Sequence, residues 1–191
     1  MKNFKLFLSV LMLLICAQVP TFAESSLKGV TPEKFEFIQK LAAAGDAKLQ
    51  HVVGLAYYEG EIVAKDYNKA RDWFEKAAAN GMGISASYVA NMYFDGIGVV
   101  QSYEMAKRWH IKAAENGFRE SFTFLGFMVA IGQGQKSDPI EACMWFNLGK
   151  DEGELTATKM LDELSQKMTP KQIADAKAMS IDWRLKRPKS Q

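Results

Sequence analysis

Displaced by 36 residues, this sequence falls on itself. Trp73 meets Trp109 and Trp145, and Ala70 meets Ala106 and Ala142. Gly60 meets Gly96 and Gly132, Gly81 meets Gly117 and Gly153, and Gly54 meets Ala90 and Gly126. A period held at several positions across three copies, without insertion, dictates a stack of like units. Each unit is too small to bury its own apolar face and must lean on its neighbours. The copies span residues 46–81, 82–117 and 118–153.

Each copy reads as two helices. The first runs from about Asp46 to Tyr58 in copy one, with Leu49, Val53, Ala56 and Tyr57 at helical spacing. The small residue at 54, 90 or 126 weakens the helix, glycine by roughly 1 kcal/mol against alanine. Its recurrence predicts a neighbouring helix at close range. The glycine at 60, 96 or 132 ends the helix by taking positive φ. Asp66, Ser102 and Asp138 are N-caps for the second helix, and Pro139 suits a first helical turn. Ala70, Trp73, Ala77 and Gly81 then form a seam with one large ring between small residues. Asn-Gly at 80–81 and 116–117 stops the second helix. These pairs predict an all-α fold, a right-handed α-solenoid of antiparallel helix pairs.

The ends close the array. Thr31-Pro32-Glu33 opens a helix whose Phe37, Leu41, Ala42 and Gly45 precede Trp73, Ala77, Ala78 and Gly81 by 36 residues, so residues 24–45 read as half a repeat. Ala157 and Leu161 continue the first-helix series before the pattern decays at Asp162 and Ser165. Thr169-Pro170-Lys171-Gln172 is a capping box for a last helix with an expected packing stripe at Ala174, Ala178, Ile181 and Leu185, and Trp183 adds bulk. Residues 154–191 are thus capping helices and a basic tail.

The units Leu49-x3-Val53-Gly54-x2-Tyr57-x2-Gly60 and Asp66-x3-Ala70-x2-Trp73-Phe74-x2-Ala77-Ala78-x2-Gly81 resemble Sel1-like repeats, relatives of the tetratricopeptide repeat. Copy two matches through Tyr93, Gly96-Ile97-Gly98-Val99, Ala106, Trp109, Ala113-Ala114 and Gly117. Copy three departs, with Val129 for the tyrosine and Gly149-Lys150 for the paired alanines, which predicts a different end to its second helix. The resemblance implies adaptor work: assembly of complexes at membranes and, in bacteria, exported proteins of the envelope, of signalling or of host contact. A cysteine-rich branch is linked to β-lactam binding. This chain lacks the paired cysteines, so that activity does not carry over.

Lys2 and Lys5, a run from Leu6 to Ala17, and Thr21-Phe22-Ala23 have the order of a cleaved signal peptide, residues 1–23. The run is shorter than the ~20 residues of a spanning helix, and Leu14-Ile15 does not suit lipid attachment at Cys16. The expected location is periplasmic or secreted, in a bacterial envelope. Cleavage takes two of 24 basic residues and leaves 22 against 22 acidic ones. A balanced chain is a poor nucleic-acid ligand, since that affinity rests on neutralising phosphates. Cys143 alone remains, so no disulfide can form within the chain.

Catalytic groups are not expected. His51 and His110 occupy different repeat positions, and His110 replaces the ring of Phe74 and Phe146, as a packed residue would. No His and carboxylate grouping has metal spacing, and no cofactor is implied. Gly132-Gln133-Gly134 follows a helix and lacks the Gly-Lys-Ser/Thr of a phosphate loop. Cys143 has no base at hand in its segment. The expected site is instead a row on the concave face: His51, Leu55 and Tyr58, then Ser87, Asn91 and Phe94, then Thr123, Phe127 and Ala130. Such a row suits a peptide or an amphipathic helix, while the same rings could pack between repeats instead. Arg184, Lys186, Arg187 and Lys189 form a solvated tail, with contact to anionic lipid or cell-wall polymer the less favoured option. The expected function is an exported, non-enzymatic scaffold for a protein or peptide. The alternatives are a factor acting on peptidoglycan or β-lactam metabolism and a secreted host-interaction factor.

Overall fold

The computed structural model describes residues 30–187. The expected leader, 1–23, and Lys189 lie outside the described residues. Among the described residues all regular structure is helical: α1 (Pro32–Ala43), α2 (Ala47–Glu59), α3 (Tyr67–Ala79), α4 (Gly83–Asp95), α5 (Tyr103–Glu115), α6 (Glu120–Ile131), α7 (Pro139–Asp151), α8 (Leu155–Ser165) and α9 (Pro170–Lys186). The fold is all-α, a solenoid of helix pairs. The chain divides between Asn116 and Gly117 into two compact units.

In the first unit α1 packs on α2, α2 on α3, α3 on α4 and α4 on α5. The expected punctuation is present. Asp46, Asp66 and Ser102 each accept a backbone N–H three residues on, and Gly60 and Gly96 end their helices at φ 77° and 74°. The Asn-Gly stops do more than end a helix. The Asn80 side-chain amide donates to Gln50 Oε1 at 2.9 Å and to the Gly45 carbonyl at 3.3 Å. Asn116 donates to the Ala78 carbonyl at 2.9 Å, so each stop ties down a preceding turn or helix end. Trp73 and Trp109 stay half-buried, each under a lysine one turn on, with Lys76 Nζ at 4.4 Å and Lys112 Nζ at 5.0 Å from the ring centres.

The small residue of the first helix has the use its recurrence predicted. A β-carbon at Gly54 would meet two Phe74 ring carbons at 2.6 Å. Phe74 is fully buried, and the ring fits only because residue 54 has no side chain.

In the second unit α6 packs on α7, and α7 on both α8 and α9. Ser121 through Val129 are buried without a break, which fits a helix that is apolar all round. Gly126 repeats the arrangement of Gly54, here beneath Phe146. The second helix of copy three does not end differently. It stops at Asp151, in register with Ala79 and Glu115. Gly149 serves another purpose: a β-carbon there would lie 2.7 Å from that of Ala157, so the glycine lets α8 approach.

The last helix needs a correction. Its capping box forms as expected. Yet Ala174, Ala178, Ile181 and Leu185, the expected packing stripe, face solvent, with Ile181 at 52% and Leu185 at 77% exposure. The opposite face packs, through the buried Ala176 and Ser180 and the half-buried Trp183. Trp183 sets the orientation, meeting Phe122 and Trp145 edge-on at 5.5 and 5.7 Å. Burial of one indole among two rings outweighs burial of a stripe that is half alanine.

Candidate partner-binding face

Of the nine residues named for the binding row, five are core, and Ala130 is half-buried in the second unit. Leu55 and Phe127 are fully buried, and His51, Ser87 and Thr123 nearly so. Leu55 belongs to the apolar core of the first unit, and the other four each have an internal partner. His51 Nδ1 lies 2.9 Å from Ser85 Oγ, and the Ser87 hydroxyl donates to the Ile84 carbonyl at 2.7 Å. The Thr123 hydroxyl donates to Glu154 Oε2 at 2.6 Å, the carboxylate that caps α8. Phe127 meets Phe146 edge-on at 5.5 Å. An i, i+4, i+7 spacing identifies a helix face but not which neighbour covers it, and here α3 and α4 cover His51.

Tyr58, Asn91 and Phe94 remain half-buried in the first unit. Tyr58 is the hub of a tyrosine cluster, meeting Tyr67 at 5.4 Å and Tyr88 at 5.7 Å, both edge-on. Burial pushes the Tyr58 phenol up to about 12, helped by the charges of Glu59 and Asp95. Burial also raises the carboxyl of Asp95, at the end of α4. The cluster presents phenol groups and ring edges beside two exposed carboxylates. Such a surface can hold a cation over a ring, as Lys65 Nζ already lies 5.7 Å from the Tyr67 centre.

Tyr67 and Tyr88 were not singled out from the sequence, although a signal for Tyr67 exists. Phe94 meets Tyr103 edge-on at 5.3 Å. That pair is the Tyr58–Tyr67 pair moved on by one repeat, and copy three holds Ala130 and Pro139 at the same places. The ring after the N-cap is thus part of the repeat in two copies.

The remaining groups are occupied structurally. His110 is fully buried, and burial lowers its pKa to about 3 and that of His51 to about 4. Cys143 is buried, with its thiol pushed up. Among the described residues no cluster of three His, Cys, Asp or Glu could hold a metal ion. In the tail, Arg184 reaches Asp151 at 3.2 Å and Glu152 at 3.6 Å, Lys186 pairs with Asp182 at 2.6 Å, and Arg187 lies over Trp183.

Residues 47–82, 84–118 and 123–154 each match the Sel1 repeat model. The chain belongs to the Sel1 repeat family. Sel1 repeats are typically protein-interaction scaffolds rather than enzymes. The chain is similar to a Sel1 repeat protein from Oxalobacter formigenes, at 28% identity and a TM-score of 0.64, over 69% of this chain and 54% of that one. It is also similar to a protective antigen of uropathogenic Escherichia coli with an SLR fold, at 29% identity and a TM-score of 0.70, over 86% of this chain and 37% of that one. It thus spans about half and about a third of these two Sel1-type structures. No curated protein matches it.

Proposed function

We propose that this Sel1 repeat chain is an exported, non-enzymatic adaptor that binds a protein or peptide through the tyrosine cluster of its first unit. The observation that carries the reading is the half-buried group Tyr58, Tyr67 and Tyr88 beside Glu59 and Asp95. Tyrosine gives large, stiff contact area at low entropic cost, which is why it is enriched at recognition surfaces. The flanking carboxylates favour a partner segment bearing Lys or Arg. Export is supported by the signal-like order of residues 1–23. The likeness to a protective antigen fits a protein met outside the cytoplasm.

A photo-crosslinking side chain at Asn91, a half-buried position on α4, tests the reading in intact cells. One defined adduct is expected, and it should weaken when Glu59 and Asp95 are both changed to the corresponding amides. Adducts that form equally well from Leu155, an exposed residue of the second unit, would count against it. Hydrolysis of muropeptides by the purified chain would overturn the non-enzymatic reading.

A further inference from the structure

The net charge of this chain is segregated. Residues 170–191 carry six Lys and Arg against two Asp, whereas residues 24–169 carry sixteen against twenty acidic residues. Such asymmetry in an otherwise balanced chain points to an anionic partner for the basic part. The same segment holds an uncovered apolar stripe. Ala174, Ala178, Ile181 and Leu185 all face solvent, and the two large side chains sit toward the end where Lys186 and Arg187 stand exposed. Lys171 and Lys177 are exposed along the same helix, and Lys189 follows in sequence.

The stripe is held outward by the far side of the helix. Ala176, Ser180 and Trp183 pack inward, and Arg184 fixes the helix to α7 through Asp151 and Glu152. Rotation that would hide Ile181 and Leu185 would have to pull Trp183 from Phe122 and Trp145.

We infer that α9 docks on an anionic phospholipid surface, inserting Ile181 and Leu185 between headgroups while Lys177 meets the phosphates and Lys171 and Lys186 exchange their exposed partners Asp175 and Asp182 for them. An apolar ridge flanked by Lys and Arg on a helix lying in the plane of the interface is the form such contacts take. Lipid supplies both complements at once, an acyl boundary for the ridge and negative charge for the flanks. A soluble polyanion would leave the ridge in water. No described helix is long and apolar enough to cross a membrane, so the contact is peripheral. One unit is thereby held to a surface while the tyrosine cluster lies on the other.

The test uses the protein as the cell processes it, floated with vesicles of phosphatidylcholine alone or mixed with phosphatidylglycerol. Binding is expected to the mixed vesicles, to fall with added salt, and to drop about tenfold in Ile181→Ser/Leu185→Ser at unchanged Tm. Phe37→Ser/Leu41→Ser, on the other exposed apolar face, should bind as the parent does. Equal binding to phosphatidylcholine alone overturns the proposal. So does binding unmoved by Ile181→Ser/Leu185→Ser, or equal affinity for a soluble glycerol-phosphate polymer. None of these outcomes bears on the adaptor reading, which stands or falls on the crosslink from Asn91.

Discussion

Gly54 lies so close beneath Phe74 that a β-carbon there would come within 2.6 Å of the ring. In copy two the same places hold Ala90 and His110, a slightly larger residue opposite a smaller ring, and in copy three Gly126 and Phe146 return. Size at the two positions is exchanged so that the filled volume holds. Gly54→Ala should therefore cost about 1–3 kcal/mol by overpacking. His110→Phe should carry a similar penalty, and Ala90→Gly in the same chain should recover much of it. Urea unfolding of the double-mutant cycle measures the coupling, and simple additivity would refute the exchange.

Acid should loosen the first unit. His51 and His110 ionise near 6.5 when unfolded, and burial lowers them to about 4 and about 3 in the fold. Below pH 6.5 the unfolded chain binds more protons, so stability falls as pH falls, down to pH 4 for His51 and pH 3 for His110. At pH 5 the loss is about 2 kcal/mol per histidine. Ala90→Gly/His110→Phe should halve the drop in unfolding free energy between pH 7.5 and pH 5. An undiminished drop would show that His110 does not contribute.

Phe127 and Phe94 belong to the same expected binding row, at repeat positions three residues apart, and lie in different surroundings. Phe127 is fully buried against Phe146, and Phe94 is half-buried against Tyr103. Phe127→Ala should cost about 3–5 kcal/mol, and Phe94→Ala less than half of that. Equal Tm losses would mean that the two rings are equally covered in solution.

At the last helix, hydrophobic contact should outweigh charge. Trp183→Ala removes the ring packed on Phe122 and Trp145 and should cost about 3 kcal/mol. Arg184→Ala removes two partly exposed ion pairs and should cost no more than about 1 kcal/mol. Hydrogen exchange reads the difference, with α9 losing protection only in the tryptophan variant.

Where a feature depends on one residue's own backbone or on the repeat period, it was legible. Gly60, Gly96 and Gly132 all adopt the left-handed conformation that the period implied. Asp66, Ser102 and Asp138 all cap. Packing across helices was less so. His51 and Leu55 share a helix face with Tyr58, but only the tertiary arrangement shows that Phe74, Ser85 and Tyr88 surround His51 and leave Tyr58 partly open. On α9 two faces had an apolar claim, and the sequence pattern favoured the longer one. The indole of Trp183 decided for the other, because one large ring in a prepared aromatic niche buries more than four aligned smaller side chains. Tyr67 went unnoticed because it follows an N-cap and belongs to no helical stripe.

Cys143 lies wholly inside the second unit, and its thiol is held above the usual range. A thiol so placed is shielded from oxidants and from alkylating reagents until the helices around it part. Its labelling rate therefore works as a clock for the opening of that unit. It requires no engineered probe, and the chain can carry it for as long as it stays folded.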